Sequence, residues 1–141
     1  MSLRPFHMAA PIIDIEATRK FYTQILGCTV GREAPTWIDI DFFGHQLSFH
    51  VEPESCAPVA TNGVDDKAVP VRHFGVILTW EDWHDLAARL SARAMAFVIE
   101  PYIRFKDEPG EQATMFFYDP SGNALEFKSF KSDESLFSTT L

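Results

Sequence analysis

Gly122 to Lys128 reads GNALEFK, directly after the turn signal DPSG, and its alternation predicts a strand. Leu125 and Phe127 fall on one face of that strand and Glu126 on the other. A carboxylate within an element this apolar needs a partner that the strand does not supply, because burying it unpaired costs several kcal/mol. Earlier in the chain Gly44 to His50 reads GHQLSFH, with Ser48 in the place of Glu126. The two stretches predict an internal repeat, and the repeat decides the fold.

Extended in both directions, each copy follows the same order. The first begins with FHMAAPII, which suits a strand, and continues into DIEATRKFYTQILGC. There Ile15, Phe21, Tyr22, Ile25 and Leu26 recur at helical spacing, with Asp14 as N-cap and Gly27 as the stop. Strands follow around Thr29 and Val30, in TWIDIDFF and in HQLSFHV, with Gly44 in the tight turn between the last two. The second copy runs VRHFGVIL (strand), EDWHDLAARLSAR (helix), then AFVIEP, ATMFFYD and ALEFKSF (strands). Each half is thus βαβββ, and the pair predicts an α+β fold in which two curved sheets enclose a cavity. The single domain 1–141 divides into a first module over about 4–52, a connection over 53–70, a second module over 71–130 and a polar tail over 131–141. The connection has no periodicity and is long for a compact domain. It reads either as a plain linker or as a cover over a site. In the tail, Leu136 and Phe137 are candidates to dock on a partner.

The net charge of -8 argues against general affinity for nucleic acid or an anionic membrane surface. No segment approaches the length of a membrane span and the N-terminus carries no signal-peptide run, so the expected location is cytoplasmic. Cys28 and Cys56 form no CxxC and read as reduced thiols.

Laying FHMAAPI over RHFGVIL places His7 and His73 at the same position of the first strand in each module. Ser48 and Glu126 likewise match on the last strands. Strand parity sends all four to the face away from the bulky residues, and so away from the helices. Two imidazoles and one carboxylate suit a divalent ion of the first transition row, with positions left open for water or substrate. His7, His73 and Glu126 are therefore the candidate metal ligands. His50 shares the face of Ser48 and is a candidate acid–base group, against the plainer reading of a solvated strand-end histidine. Gln46 shares that face too, and Trp37, Phe116 and Tyr118 are candidates to line the cavity. Asp39 and Asp41 alternate with Ile38, Ile40 and Phe42, which reads more simply as the polar face of a half-buried strand. No phosphate loop, nucleophile elbow or basic aromatic stripe appears.

FHMAAPIIDIEATRKFYTQILG, RHFGVIL and FFYDPSGNALEF together span nearly the whole chain. In them the sequence resembles the vicinal oxygen chelate superfamily, which includes glyoxalase I, extradiol dioxygenases, fosfomycin-resistance transferases and bleomycin-binding proteins. The resemblance implies paired βαβββ modules forming a half-barrel around a divalent metal held by His7, His73 and Glu126. Fe(II) is favoured, with Mn, Zn or Ni as alternatives. Glyoxalase I typically takes a fourth ligand at the position of Ser48, so the vacancy shifts weight toward an extradiol-type dioxygenase acting on a small aromatic or vicinal-oxygen substrate. A metal-dependent lyase, isomerase or thiol transferase is the alternative, followed by a metal-free binding protein. Extradiol enzymes commonly carry a Tyr ten residues before the Glu ligand; here 126 − 10 gives Phe116, with Tyr118 two residues on as the candidate catalytic hydroxyl. The implied assembly is a homodimer binding a small-molecule substrate.

Overall fold

The computed structural model describes residues 1–140 and resolves them into two compact units, the first built from residues 1–59 with the turn 119–123 and the second from 60–118 with 124 onward.

In the first unit, β1 (His7–Ile12), α1 (Ile15–Lys20), β2 (Thr29–Ala34), β3 (Trp37–Phe42) and β4 (His45–Val51) follow in chain order. The sheet order is β1-β4-β3-β2, with β1 parallel to β4 and the other pairs antiparallel. Asp14 caps α1 by accepting from the Ala17 N–H at 2.7 Å. The helix then widens into a π-helical turn over Phe21–Ile25, where the Leu26 N–H reaches back to the Phe21 carbonyl at 3.2 Å. Gly27, at φ 79°, ends it. The widened turn buries Phe21 and Tyr22, and the Tyr22 ring lies 4.9 Å from that of Phe49. Ile38, Ile40, Phe42, Leu47 and Phe49 complete this core. Phe43 and Gly44, both at positive φ, make the two-residue turn between β3 and β4.

The turn 119–123 closes the first unit. Asp119 accepts four hydrogen bonds: from the Tyr22 hydroxyl, from the backbone N–H groups of Ser121 and Asn123, and from Asn123 Nδ2, all at 2.9 Å. The Asn123 amide also donates to the Pro11 carbonyl at 3.0 Å, and the Ile13 N–H donates to Ser121 Oγ at 2.8 Å. Burial pushes Tyr22 well above its ordinary pKa, with the Asp119 charge adding to it. Burial also raises Asp119, against the pull of its four donors.

The second unit opens with a hairpin of β5 (Thr61–Val64) and β6 (Lys67–Pro70), followed by α2 (Trp80–Ala92), β7 (Phe97–Arg104), β8 (Gln112–Tyr118) and β9 (Ala124–Phe130). The main sheet runs β7-β8-β9 in antiparallel order. The segment 71–78 lies parallel against β9 through bridges Phe74↔Leu125 and Ile77↔Lys128. It takes the place on β9 that β1 takes on β4, so both units share the βαβββ topology. Thr79 caps α2, whose buried Trp83, Leu86 and Leu90 face β8 and β9. The Trp83 indole donates to the Phe127 carbonyl at 2.8 Å.

Three readings need correction. The connection 53–70 is not structureless, because it carries the β5–β6 hairpin and a 3-10 turn at Pro53–Ser55. Asp65 and Asp66, at φ 50° and 59°, make the hairpin's two-residue turn, and most of its residues are exposed. A ribbon with little to bury writes no period-two apolar pattern. The stretch VRHFGVIL is not a continuous strand either. At Gly75 the Glu126 carbonyl comes so close that an added Cβ would stand 1.5 Å from its oxygen, and this approach interrupts the regular ladder. The first helix, read as one run, is α-helical only to Lys20 and π-helical beyond.

Gly75→Ala must therefore move backbone rather than a side chain. We expect it to lower stability by at least ~2 kcal/mol in urea titration. Asp119→Ala, which strips the partner from the fully buried Tyr22 hydroxyl, should cost about 3 kcal/mol, and Tyr22→Phe about 1 kcal/mol, by the same measurement.

Candidate metal centre

The β7-β8-β9 sheet turns Leu125 and Phe127 toward α2 and a polar set toward the opposite face. Register places Tyr102, Thr114 and Lys128 in one row across that face, with Phe116 and Glu126 paired in the next. Because Phe74 pairs with Leu125, the residues before and after it, His73 and Gly75, fall on the Glu126 side. This brings two of the three candidate ligands together: His73 Nε2 lies 3.0 Å from Glu126 Oε2, with the side chains 29% and 15% exposed.

Both groups are oriented by other contacts. His73 Nδ1 lies 2.6 Å from the Pro70 carbonyl. A carbonyl only accepts, so Nδ1 donates there and Nε2 is the ring nitrogen left facing Glu126. The Thr114 hydroxyl donates to Glu126 Oε1 at 2.7 Å, leaving Oε2 for His73. Phe116 sets its ring edge-on to the imidazole, with centroids 5.1 Å apart, and shields the pair. Two lone-pair atoms 3.0 Å apart attract only with a cation between or beside them, which is a proton or a metal ion. The donor set fits a first-row divalent ion. Among the described residues no three His, Cys, Asp or Glu side chains gather as a ready-made cluster.

His7 stands exposed on β1 of the first unit, with Gln46 as its register partner. Ser48 and His50 share a face of β4, and His50 is exposed opposite Pro11 and Trp37. The Ser48 hydroxyl is committed to Asp39 Oδ1 at 2.6 Å, and Asp39 is only 5% exposed. Asp39 is thus a buried carboxylate with a hydroxyl partner on the polar face of β3. Arg32, Asp39, Asp41, His45 and Gln46 line a cleft of about 330 Å³ on this unit. Tyr118 ends β8, half-exposed, on the face of Thr114 and Phe116.

Sequence reasoning missed Thr114, Tyr102 and Arg104. The Tyr102 hydroxyl donates to Asp65 Oδ2 at 3.0 Å, and Arg104 Nε donates to the same oxygen at 2.5 Å. The Arg104 guanidinium, with help from Tyr102, holds Asp65 below the usual carboxylate range. Tyr102 is raised, first by burial and then by its bond to Asp65.

A model of the Glyoxalase/Bleomycin resistance protein/Dioxygenase superfamily matches residues 4–127. The chain belongs to that superfamily. A glyoxalase/bleomycin resistance protein/dioxygenase from Alicyclobacillus acidocaldarius is similar at 30% identity and TM-score 0.76, over 94% of this chain and 96% of that one. Two more distant structures share the fold alone. The fosfomycin resistance protein FosX of Listeria monocytogenes is 14% identical with TM-score 0.69, over 96% of this chain and 98% of that one. A lactoylglutathione lyase from Agrobacterium tumefaciens is 14% identical with TM-score 0.62, over 94% and 95%. No protein with a curated description matches by sequence. Superfamily members typically bind divalent metals, in keeping with the donor set of His73 and Glu126.

Thr114→Val keeps the shape of the superfamily chain's site and removes the hydroxyl that fixes Glu126. We expect an unchanged circular dichroism spectrum and a 10- to 100-fold loss of divalent-metal affinity in equilibrium dialysis.

Proposed function

We propose that the chain is a metal-dependent dioxygenase of extradiol type, acting on a small aromatic substrate with two adjacent oxygens. The observation that carries this reading is the His73–Glu126 pair, 3.0 Å apart, with the imidazole proton tied to Pro70. His7 is the proposed third protein ligand, Fe(II) the favoured ion, and a homodimer in the cytoplasm the working form. Among the described residues no helix is long and apolar enough to cross a membrane.

When bound, the ion supplies Lewis acidity at two neighbouring substrate oxygens and, as iron, a route for O2. The chain's own residues do the rest. Pro70 keeps the lone pair of His73 Nε2 directed at the site, and Thr114 holds one oxygen of Glu126 so that the other stays available. Phe116 packs edge-on against the imidazole and limits its rotation. His50 and Tyr118 are the proposed proton-handling groups.

One observation favours a second reading, a metal-dependent lyase, isomerase or thiol transferase. Phe116, the register partner of Glu126, offers no hydroxyl where extradiol chemistry would use one. Elemental analysis of protein purified without added metal, followed by oxygen-uptake assays on catechols, separates the two. Stoichiometric iron with oxygen consumption supports the first, and bound metal without it supports the second. His73→Ala and Glu126→Gln should each lose most of the bound metal while the fold persists. Full occupancy in Glu126→Gln would overturn the ligand assignment.

A further inference from the structure

Although the chain carries a net charge of -8, three cations gather on the sheet face that bears Glu126. Lys128 lies in the cross-strand row with Thr114 and Tyr102, and Arg104 lies two residues beyond Tyr102 on β7, so on the same face. Lys67 sets its ammonium 4.7 Å from the centroid of the Tyr102 ring. Arg104 and Tyr102 aim both their donors at one oxygen, Oδ2 of Asp65. A guanidinium and a phenol that converge on a single carboxylate oxygen present two donors and a local positive charge to an anionic group.

We infer that Arg104 and Tyr102 bind a carboxylate or similar anionic group of the substrate, and that Asp65 of the β5–β6 turn holds this subsite until the substrate arrives. The inference rests on the proposed site at His73 and Glu126 and names the substrate class for it: an aromatic acid rather than a neutral catechol. Geometry supports the pairing of the two sites. Tyr102 on β7 and Glu126 on β9 are two strands apart on one face, roughly 10 Å at the usual strand spacing, a span that a ring with opposed substituents bridges. Asp65 suits a displaceable occupant. It sits at the tip of a two-stranded ribbon, its side chain is 41% exposed, and an ion pair at such exposure is weak enough to exchange.

The opposing possibility is that Asp65 only fastens the hairpin, and the two differ in sign. Binding of benzoate, with benzamide as the neutral control, is measured by calorimetry on the full chain stripped of metal by a chelator. The ligand then has no ion to bind, and the result is independent of metal identity and of oxygen chemistry. Asp65→Asn removes the competing charge and should tighten benzoate binding about threefold to tenfold over wild type. Arg104→Met should abolish it, and benzamide should bind none of the three proteins. Asp65→Asn binding benzoate no better than wild type, or Arg104→Met binding it equally well, overturns the subsite. Failure here with intact metal loading and catechol turnover would leave the site at His73 and Glu126 standing with a neutral substrate. Benzoate binding in a chain that takes up no metal would do the reverse.

Discussion

The candidate centre depends on one backbone approach, that of Gly75 to the carbonyl of Glu126. Segment 71–78 reaches β9 closely enough to pair only because no Cβ stands between them. The pairing sets Phe74 beside Leu125, and parity then delivers His73 to Glu126. The Phe74 N–H bonds the Ala124 carbonyl at 3.1 Å and the Glu126 N–H bonds the Phe74 carbonyl at 2.8 Å, so the main chain of β9 is fixed on both sides of Leu125, directly before Glu126. A candidate site built on strand backbone in this way draws its precision from the sheet rather than from a loop.

Much of this was legible in the sequence. GHQLSFH and GNALEFK set the last strands of the two halves, and β4 runs over the residues read from the pattern. Parity alone put His73 and Glu126 on one face, and the burial of Phe74, Val76 and Leu78 relative to their neighbours follows the expected alternation. What was not legible required register. Thr114 meets Glu126 diagonally across two strands, and no spacing along the chain records that. Arg104, Lys67 and Lys128 lie far apart in sequence, so their gathering on one face of an acidic chain could not be seen before strand pairing was known. The β5–β6 ribbon was missed for a different reason: strands that bury little have no apolar rhythm to read.

The two halves keep a carboxylate held by a hydroxyl on the same sheet face but exchange the partners. In the first unit Ser48 on the last strand donates to Asp39 on its neighbour, and in the second Thr114 on the neighbour donates to Glu126 on the last strand. The exchange gives Asp39 a hydroxyl partner from the last strand, and leaves the second oxygen of Glu126 facing His73. A repeat can thus conserve the physical solution for a half-buried anion while placing a histidine beside it in one copy.

The turn 119–123 gives the chain an unusual order of completion. Tyr22 and Asp119 are 97 residues apart, and Pro11 and Asn123 are 112 apart, yet both contacts lie inside the unit that begins at the N-terminus. The half synthesised first therefore stays open until residue 123, just before β9 completes the second half. Until residue 123 emerges, the nascent first unit holds a core tyrosine without its acceptor, and closure waits on a loop of nearly the whole chain. On the ribosome this favours a slow final step and a window in which an incomplete sheet is exposed to aggregation.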